Sequence, residues 1–232
     1  MSKIFNYIII SSLFAFGLAF TASAQDNKVS EEKVDSVKEP LFQGFFVEVD
    51  VAPLIENNLI NKYAYSYQGN LMINLRNRFF PLVEVGYGGG EQTNSTGIYF
   101  KSSGVFEKIG IDLRLLKPKP EATIKNNYLL GGVRIGMSHF NYTLNNAILT
   151  DPYWGETQTL NQNDLSVTKL WFEIVAGLRV SVHKNIYMGW NIRNKRLLSK
   201  VPEGQTTPWY IPGYGIGNSA IWGFSYIVGY RF

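Results

Sequence analysis

The feature that most constrains the fold is an alternation of apolar and polar side chains with a period of two residues, which runs from residue 41 onward. Because successive side chains of an extended strand point to opposite faces, this period predicts β-strands with one apolar and one polar face. The eight predicted strands are residues 43–51, 63–75, 79–87, 105–115, 128–137, 169–182, 186–195 and 218–232. An even number of such strands favours a closed antiparallel barrel.

The connections between these segments alternate in length. Short turns are predicted at 76–78 and 183–185, and longer loops at 88–97, 145–164 and 199–217. Outer-membrane barrels have short turns at the periplasmic end and longer loops outside the cell. The sequence therefore predicts an all-β fold, namely an eight-stranded antiparallel up-and-down transmembrane β-barrel at residues 41–232.

The N-terminal segment has the pattern of an export signal. Lys3 supplies a positive charge, an apolar run follows from Tyr7 to Phe20, and Ala22-Ser23-Ala24 fits a cleavage site. We expect residues 1–24 to be a cleaved signal peptide and the charged residues 25–40 to be a periplasmic tether. No later stretch is apolar for the length that a membrane-spanning helix needs, so a closed barrel is the remaining way to cross a bilayer.

A soluble β-barrel would show the same alternation, so the nature of the side chains has to decide between the two. Only 17% of the residues are charged and 15% are aromatic, and the aromatic residues gather near strand ends, as in the girdles of membrane barrels. The chain ends on Phe232 in register with Tyr230, Val228 and Tyr226, like the sorting signal of outer-membrane barrels. We expect an outer-membrane location, with outer-membrane lipid and the barrel-assembly machinery as partners.

The polar faces of the predicted strands carry nearly balanced charges, which the barrel would enclose. The acidic members are Glu48, Asp50, Glu84, Asp112 and Glu173, and the basic members are Lys108, Arg114, Arg134, Arg179, Arg193 and Lys195. An eight-stranded barrel has an interior just wide enough for side chains to fill, and buried charges must be paired. The sequence predicts an internal salt-bridge network and a plugged lumen.

Residues with catalytic or metal-binding chemistry are scarce. The absence of Cys excludes thiolate metal sites and cysteine nucleophiles, and neither His nor the carboxylates show metal-ligand spacing. His183 falls in a predicted periplasmic turn, and His139 points away from its neighbour Ser138 because adjacent strand residues face opposite sides. The net charge of +4 is small and scattered, which argues against nucleic acid as a partner.

Aromatic residues in two predicted outer loops form the remaining signal. Tyr153 and Trp154 lie in one loop, and Trp209 and Tyr210 lie in the other. They either pack over the barrel mouth or contact another envelope protein, since Tyr and Trp are favoured anchors at protein interfaces. Both interpretations stay open at this point.

Several short segments resemble those of a known family. They are Glu84-Val85-Gly86-Tyr87, Gly110-Ile111-Asp112, Val133-Arg134-Ile135-Gly136, Asp151-Pro152-Tyr153-Trp154-Gly155, the run from Trp171 to Gly177 and Tyr210-Ile211-Pro212-Gly213. This order resembles an uncharacterised family of exported outer-membrane β-barrel proteins of Bacteroidetes-type bacteria, a domain of unknown function. The resemblance covers about residues 44–232 and implies location and fold, but no reaction.

The function predicted from these observations is non-enzymatic. We expect a structural or interaction component of the cell envelope, with no catalytic site, cofactor or metal, and with other envelope proteins as further partners. Two alternatives remain open. One is an outer-membrane enzyme that modifies lipid or lipopolysaccharide and uses His139, and the other is a narrow transport pore.

Overall fold

A computed structural model describes residues 40–53, 63–116, 127–150, 155, 157–199, 206–217 and 220–232. Its long strands are β1 (Phe42–Asp50), β2 (Ala64–Leu75), β3 (Phe79–Thr93), β4 (Tyr99–Arg114), β5 (Tyr128–Thr150), β6 (Thr157–His183), β7 (Ile186–Leu197) and β10 (Ile221–Arg231). Two short strands, β8 (Tyr210–Ile211) and β9 (Gly215–Ile216), form a separate hairpin. The predicted signal peptide and all but the last residue of the predicted tether lie outside the described residues.

The eight long strands close into a barrel. Each pairs antiparallel with the next long strand along the chain, and β1 pairs with β10 to complete the ring. The closing pair places Val47 opposite Tyr230, and the Phe232 amide donates to the Phe45 carbonyl at 2.9 Å. The rings of Phe45 and Phe232 stack with centroids 4.6 Å apart. The predicted eight-stranded antiparallel up-and-down barrel is confirmed.

The two predicted short turns are present at one end of the barrel. Arg76 and Asn77 have φ angles of 52° and 54°, which is the conformation of a type I′ hairpin turn between β2 and β3. Lys184, between β6 and β7, has a φ angle of 45°. This end is called the turn end below, and the opposite end, which carries the β8–β9 hairpin, is called the loop end.

Several strands continue much farther toward the loop end than the sequence predicts. The prediction of loops at 88–97 and 145–164 is wrong over most of both ranges. β3 runs to Thr93 in the first range, and β5 runs to Thr150 and β6 starts at Thr157 in the second. β4 starts at Tyr99. Tyr99 still pairs with Thr93 on one side and with Asn145 on the other. The alternation continues in this region with its faces exchanged. Inward residues such as Phe140 and Tyr142 are apolar and buried, whereas the outward residue Asn141 between them is polar and exposed.

The predicted loop at 199–217 also contains structure that the sequence did not indicate. Its β8–β9 hairpin pairs Tyr210 with Ile216 and Ile211 with Gly215. The turn uses Gly213 at a φ angle of 76°, a left-handed conformation that glycine adopts without strain. Pro212 and Gly213, two of the residues that suggested an open loop, are therefore turn residues of a folded hairpin.

The outer surface of the barrel is apolar around its middle. Leu71, Val83, Ile109, Ile135 and Phe172 lie side by side on consecutive strands and form a continuous row. Ile109 is 65% exposed and Val83 is 50% exposed, so this row faces the surroundings of the barrel. Within the described ranges no helix is long and apolar enough to span a membrane.

Candidate functional site

The lumen at the turn end is filled by an apolar cluster, called the floor below. Its members are Phe46, Met72, Phe80, Leu82, Tyr128, Leu130 and Tyr187, all of them buried. The Phe46 ring lies edge-on to Tyr187, Phe80 and Tyr128, with centroid distances of 5.3, 6.1 and 6.2 Å. Edge-to-face contacts of this kind add stability beyond the area that they bury. Packed rings and aliphatic side chains therefore occupy the lumen at this end.

The middle of the lumen contains an ion-pair network centred on Glu84. This fully buried carboxylate contacts Arg193 Nη1 at 2.7 Å, Arg134 Nε at 2.9 Å and Lys108 Nζ at 3.2 Å. Glu173 shares two of these cations, at 3.2 Å from Arg193 and 3.4 Å from Lys108. Each acid thus serves several bases, which is the arrangement that makes buried charges tolerable.

Two further ion pairs lie in the lumen. Glu48 Oε1 lies 2.6 Å from Arg179 Nε and also accepts a hydrogen bond of 2.9 Å from the Tyr187 hydroxyl. Asp112 Oδ2 lies 3.0 Å from Arg134 Nη2. Asp112 thus joins the Glu84 network through Arg134, whereas Glu48 and Arg179 form a separate ion pair next to the floor.

Eight of the eleven charged residues predicted for the lumen are joined by these ion pairs. They are Glu48, Glu84, Lys108, Asp112, Arg134, Glu173, Arg179 and Arg193. The other three have different partners. Asp50 accepts from the backbone amides of Ala52 and Tyr226, and the Arg114 guanidinium lies over the Tyr128 ring at 4.6 Å. Lys195 donates to two backbone carbonyls.

Lys169 is a buried lumen residue that the sequence analysis missed. It is 1% exposed and lies on the same face of β6 as Trp171 and Glu173. The period of two residues contains this information, since positions 169, 171 and 173 share parity with one another. It was overlooked because the predicted strand started at this residue.

A second apolar cluster lies at the loop end, and the β8–β9 hairpin belongs to it. Ile211 and Tyr214 of the hairpin are almost fully buried among Phe100, Phe106 and Trp171. Lys195 Nζ donates to the Gly213 and Tyr214 carbonyls at 2.9 and 3.1 Å, and Ser102 Oγ donates to the Tyr210 carbonyl. The hairpin is therefore fastened into the barrel mouth by both apolar and polar contacts.

This packing determines the surroundings of Trp209 and Tyr210, for which packing over the mouth and contact with a partner were both left open. Trp209 stacks on Phe100 with centroids 5.5 Å apart, and the Tyr210 hydroxyl lies 3.5 Å from the Tyr65 carbonyl. Both side chains are only half-buried, so part of each is available at the surface. Tyr153 and Trp154 lie outside the described residues.

A cavity of 570 Å³ remains in the lumen between the network and the hairpin. Asp50, Lys108, Arg193 and Lys195 line its inner part. A volume of this size is typical of small-molecule sites. It is the strongest candidate for a ligand site among the described residues.

His139 lies on the outside of the barrel. Its Nδ1 is 2.9 Å from Thr168 Oγ1, and its Nε2 is 3.4 Å from Ser166 Oγ. Ser138 points into the lumen and donates to the Val105 carbonyl, as expected for adjacent residues on a strand. The described neighbours that hydrogen-bond to His139 are hydroxyl groups, whereas a catalytic base is usually oriented by a carboxylate or an amide.

The residues predicted as a C-terminal sorting signal can also be located. Tyr226, Val228 and Tyr230 lie on the outward face of β10, where alternate residues such as Ser225 and Ile227 are buried, and Phe232 follows directly after the strand. Among the described residues, no group of His and carboxylate side chains is arranged to hold a metal ion.

The fold and the filled interior define the chain as a small eight-stranded β-barrel with a charged core between two apolar layers. Residues 4–232 match the family described as a domain of unknown function, DUF6048, and the chain belongs to that family. No curated protein matches the sequence. The expected membership of an uncharacterised family is confirmed, and the bacterial group stays a prediction.

Solved structures of three β-barrel chains are similar to this one. Ail, the attachment invasion locus protein of Yersinia pestis, in complex with the heparin analogue sucrose octasulfate, is 12% identical, with a TM-score of 0.41. Neisserial surface protein A is 13% identical, with a TM-score of 0.39. The N-terminal β-barrel domain of Pseudomonas aeruginosa OprF is 16% identical, with a TM-score of 0.32. Each match covers 82% of this chain and 99% of the other chain.

Proposed function

We propose that the protein is a non-enzymatic barrel of the outer membrane, with a plugged lumen, that acts as a structural or interaction component of the cell envelope. The observation that carries this proposal is the inverted distribution of side chains. Charged groups such as Glu84 and Arg193 are buried inside, while apolar groups such as Ile109 and Val83 are exposed outside. Exposed apolar surface of this extent is costly in water and favourable in lipid.

The filling of the lumen supports the plug. The floor, the ion-pair network and the mouth cluster follow one another along the barrel axis, and each is built from buried side chains. An ion crossing the barrel would have to displace the packed rings around Phe46 as well as the cations around Glu84. A transport pore is the less favoured function for this reason.

The proposal includes the route to the membrane and the partners met there. A cleaved signal peptide at residues 1–24 would direct export, and residues 25–40 would then be a periplasmic tether. The outward aromatic residues of β10, Tyr230 and Phe232, would be read by the barrel-assembly machinery before insertion. Trp209 and Tyr210 at the loop end are candidates for contact with other envelope proteins, since each retains exposed surface.

The location and the barrel are tested together by fractionation and gel mobility. We expect the protein in the outer-membrane fraction, with faster migration in SDS before boiling than after boiling, because the closed hydrogen-bonded ring resists detergent. A periplasmic soluble fraction with identical migration before and after boiling would contradict the proposal. A variant that lacks Phe232 is examined by the same two measurements, since it loses both the stacking with Phe45 and the terminal aromatic residue.

The plug is tested by recording from planar bilayers that contain the purified protein. We expect no steady conductance above the leak of protein-free membranes. A matched variant carries Phe46→Ala, Phe80→Ala and Tyr128→Ala, which removes three mutually contacting rings of the floor. This variant is expected to conduct more than the natural protein. Stable channels in the natural protein would contradict the plug while leaving the barrel intact.

A further inference from the structure

One carboxylate lies within the apolar outer surface of the barrel. Glu107 is exposed on an outward position of β4. Val105 and Ile109, the next outward residues on either side of it, are 58% and 65% exposed. Across the strands, Glu107 lies opposite Val85 on β3 and Met137 on β5. Apolar side chains therefore surround this carboxylate on the surface that would face lipid.

One cation lies on the same outer surface. Arg196 of β7 is exposed and lies opposite Phe172 of β6. Leu198, the next outward residue toward the loop end, is apolar and 60% exposed. A guanidinium does not lose its proton in proteins, so this side chain cannot become neutral and needs an anionic partner instead.

Neither of these two charges is paired within the described part of the chain. The other outward charges of the long strands have partners. Glu91 lies 3.1 Å from Lys101, and Asp164 accepts a hydrogen bond of 2.9 Å from an amide on β5. No hydrogen bond or ion pair joins the side chain of Glu107 or Arg196 to a described residue. A charge that faces lipid without a partner is costly, and such residues usually mark a functional contact.

The strand register places the two charges at a similar depth. Ile109 and Arg196 belong to one row of residues that lie opposite one another across β4, β5, β6 and β7. Followed the other way around the barrel, the same row reaches β7 at Ile186, near the turn end. The row therefore climbs toward the loop end, by about 3 Å per strand for strands tilted by about 40°. Arg196 is then about 9 Å and Glu107 about 5 Å closer to the loop end than Ile109, a difference shorter than an arginine side chain.

The two charges cannot reach one another within one barrel. Strands β5 and β6 separate β4 from β7, which places the two strands about 14 Å apart along the wall. Outward side chains on a curved wall also point away from one another. Copies inserted in one membrane share the same orientation, so Glu107 of one copy and Arg196 of another copy would lie at matching depths.

We propose that the β7 face of one copy binds the β4 face of a second copy, with Arg196 of the first paired with Glu107 of the second. This inference rests on the proposed membrane location, because an ion pair is strong where water is excluded. Ile192, on the outward face of β7, lies at about the depth of Ile109 and would contact it beside the ion pair. Apolar packing gains little in lipid, so the charges would determine which faces meet. The two faces differ, so the contact repeats from copy to copy as a ring or an array.

The test measures disulfide formation between purified copies in phosphatidylcholine vesicles, after flotation has shown that the protein is inserted. The sequence contains no Cys, so every thiol is an introduced one. Copies with Ile109→Cys and copies with Ile192→Cys carry different tags and are mixed and oxidised with copper phenanthroline. We expect the mixed disulfide in clear excess over the two same-site disulfides. Ile109→Cys mixed with Val49→Cys, on the outward face of β1, is the control and should give background only.

Charge substitutions test whether the ion pair joins the copies. Glu107→Gln in the Ile109→Cys copy, or Arg196→Met in the Ile192→Cys copy, should lower the mixed disulfide about tenfold, as for one lost charge-assisted hydrogen bond. Glu91→Gln changes an exposed carboxylate that is paired within the chain and should leave the mixed disulfide unchanged. Glu107→Arg in the first copy should abolish it, and Arg196→Glu in the second copy should then restore it. This restoration would not occur if the first substitution had only damaged the fold.

The contrary results are equally specific. Same-site disulfides as abundant as the mixed one would show random collision and overturn the proposal. A mixed disulfide that Glu107→Gln and Arg196→Met both leave unchanged would overturn it, and so would exchanged charges that do not restore it. Cross-linking of Ile109→Cys in cells to a different envelope protein, in place of a second copy, would assign the β4 face to another partner and also overturn it. Failure of the protein to float with the vesicles would instead contradict the membrane location, which distinguishes the two failures.

Discussion

Glu84→Gln is expected to lower the free energy of unfolding by about 3–5 kcal/mol, the usual effect of removing one partner from buried ion pairs. The carboxylate of Glu84 contacts Lys108, Arg134 and Arg193, and all four side chains are at most 2% exposed. The amide keeps the shape of the side chain but not its charge. Three buried cations would then depend on Glu173 and Asp112, which already have partners of their own.

The measurement is equilibrium unfolding by guanidinium of the barrel refolded in detergent micelles or lipid vesicles, followed by the gel mobility of unboiled samples. Glu91→Gln is the matched control, since it makes the same change on the same strand in an exposed pair with Lys101. Exposed ion pairs contribute little, so this variant should unfold like the natural protein. Equal stability of Glu84→Gln and the natural protein would show that the charges inside the barrel are solvated rather than held by one another.

The sequence alone predicts the barrel and also the charged side chains that surround Glu84 in its lumen. Alternation assigns Glu84, Lys108 and Arg193 to the polar face of their strands, and closing eight strands brings polar faces together in the lumen. The alternation predicts only that these three side chains lie in the lumen, and not which of them are paired. The pairing follows from the stagger between strands, which places Glu84 opposite Lys108 on β4 and near Arg193 of β7 across the barrel.

Two features could not be obtained from periodicity alone. The floor could not be predicted because alternation places Phe46, Phe80 and Tyr128 on inward positions without showing that their rings meet across the barrel. The β8–β9 hairpin escaped prediction because its contacts with Phe106 and Lys195 join segments that are far apart in the chain. Long-range contacts of this kind depend on the closed barrel, and no local pattern encodes them.

Gly136→Ala is expected to destabilise the barrel by about 1–3 kcal/mol, the usual cost of overpacking a filled interior. A β-carbon at this position would lie 2.3 Å from Trp171 Cε2, well inside the contact distance. The indole has little freedom to move away. It is fully buried, its Nε1 donates to Glu173 at 2.7 Å, and its ring packs edge-on against Tyr214 of the mouth cluster.

Trp171→Ala should cost about 3–5 kcal/mol, because it leaves a large cavity and removes the hydrogen bond to Glu173. The double variant Gly136→Ala with Trp171→Leu is the informative comparison, since the smaller side chain makes room for the added methyl group. Its loss of stability should be less than the sum of the losses for Gly136→Ala and Trp171→Leu alone, as expected for residues in contact.

Gly69→Ala is the control for this series, since the nearest atom to its added β-carbon is the Glu48 carbonyl oxygen at 3.8 Å, an ordinary contact. It should unfold nearly like the natural barrel under the same denaturant titration. Strictly additive effects at positions 136 and 171 would mean that the indole does not lie against β5. This result would contradict the arrangement of the lumen in which Trp171 lies beside the ion-pair network. A positive coupling would instead place Trp171 between the ion-pair network and the mouth cluster, where it holds Glu173 in reach of Arg193.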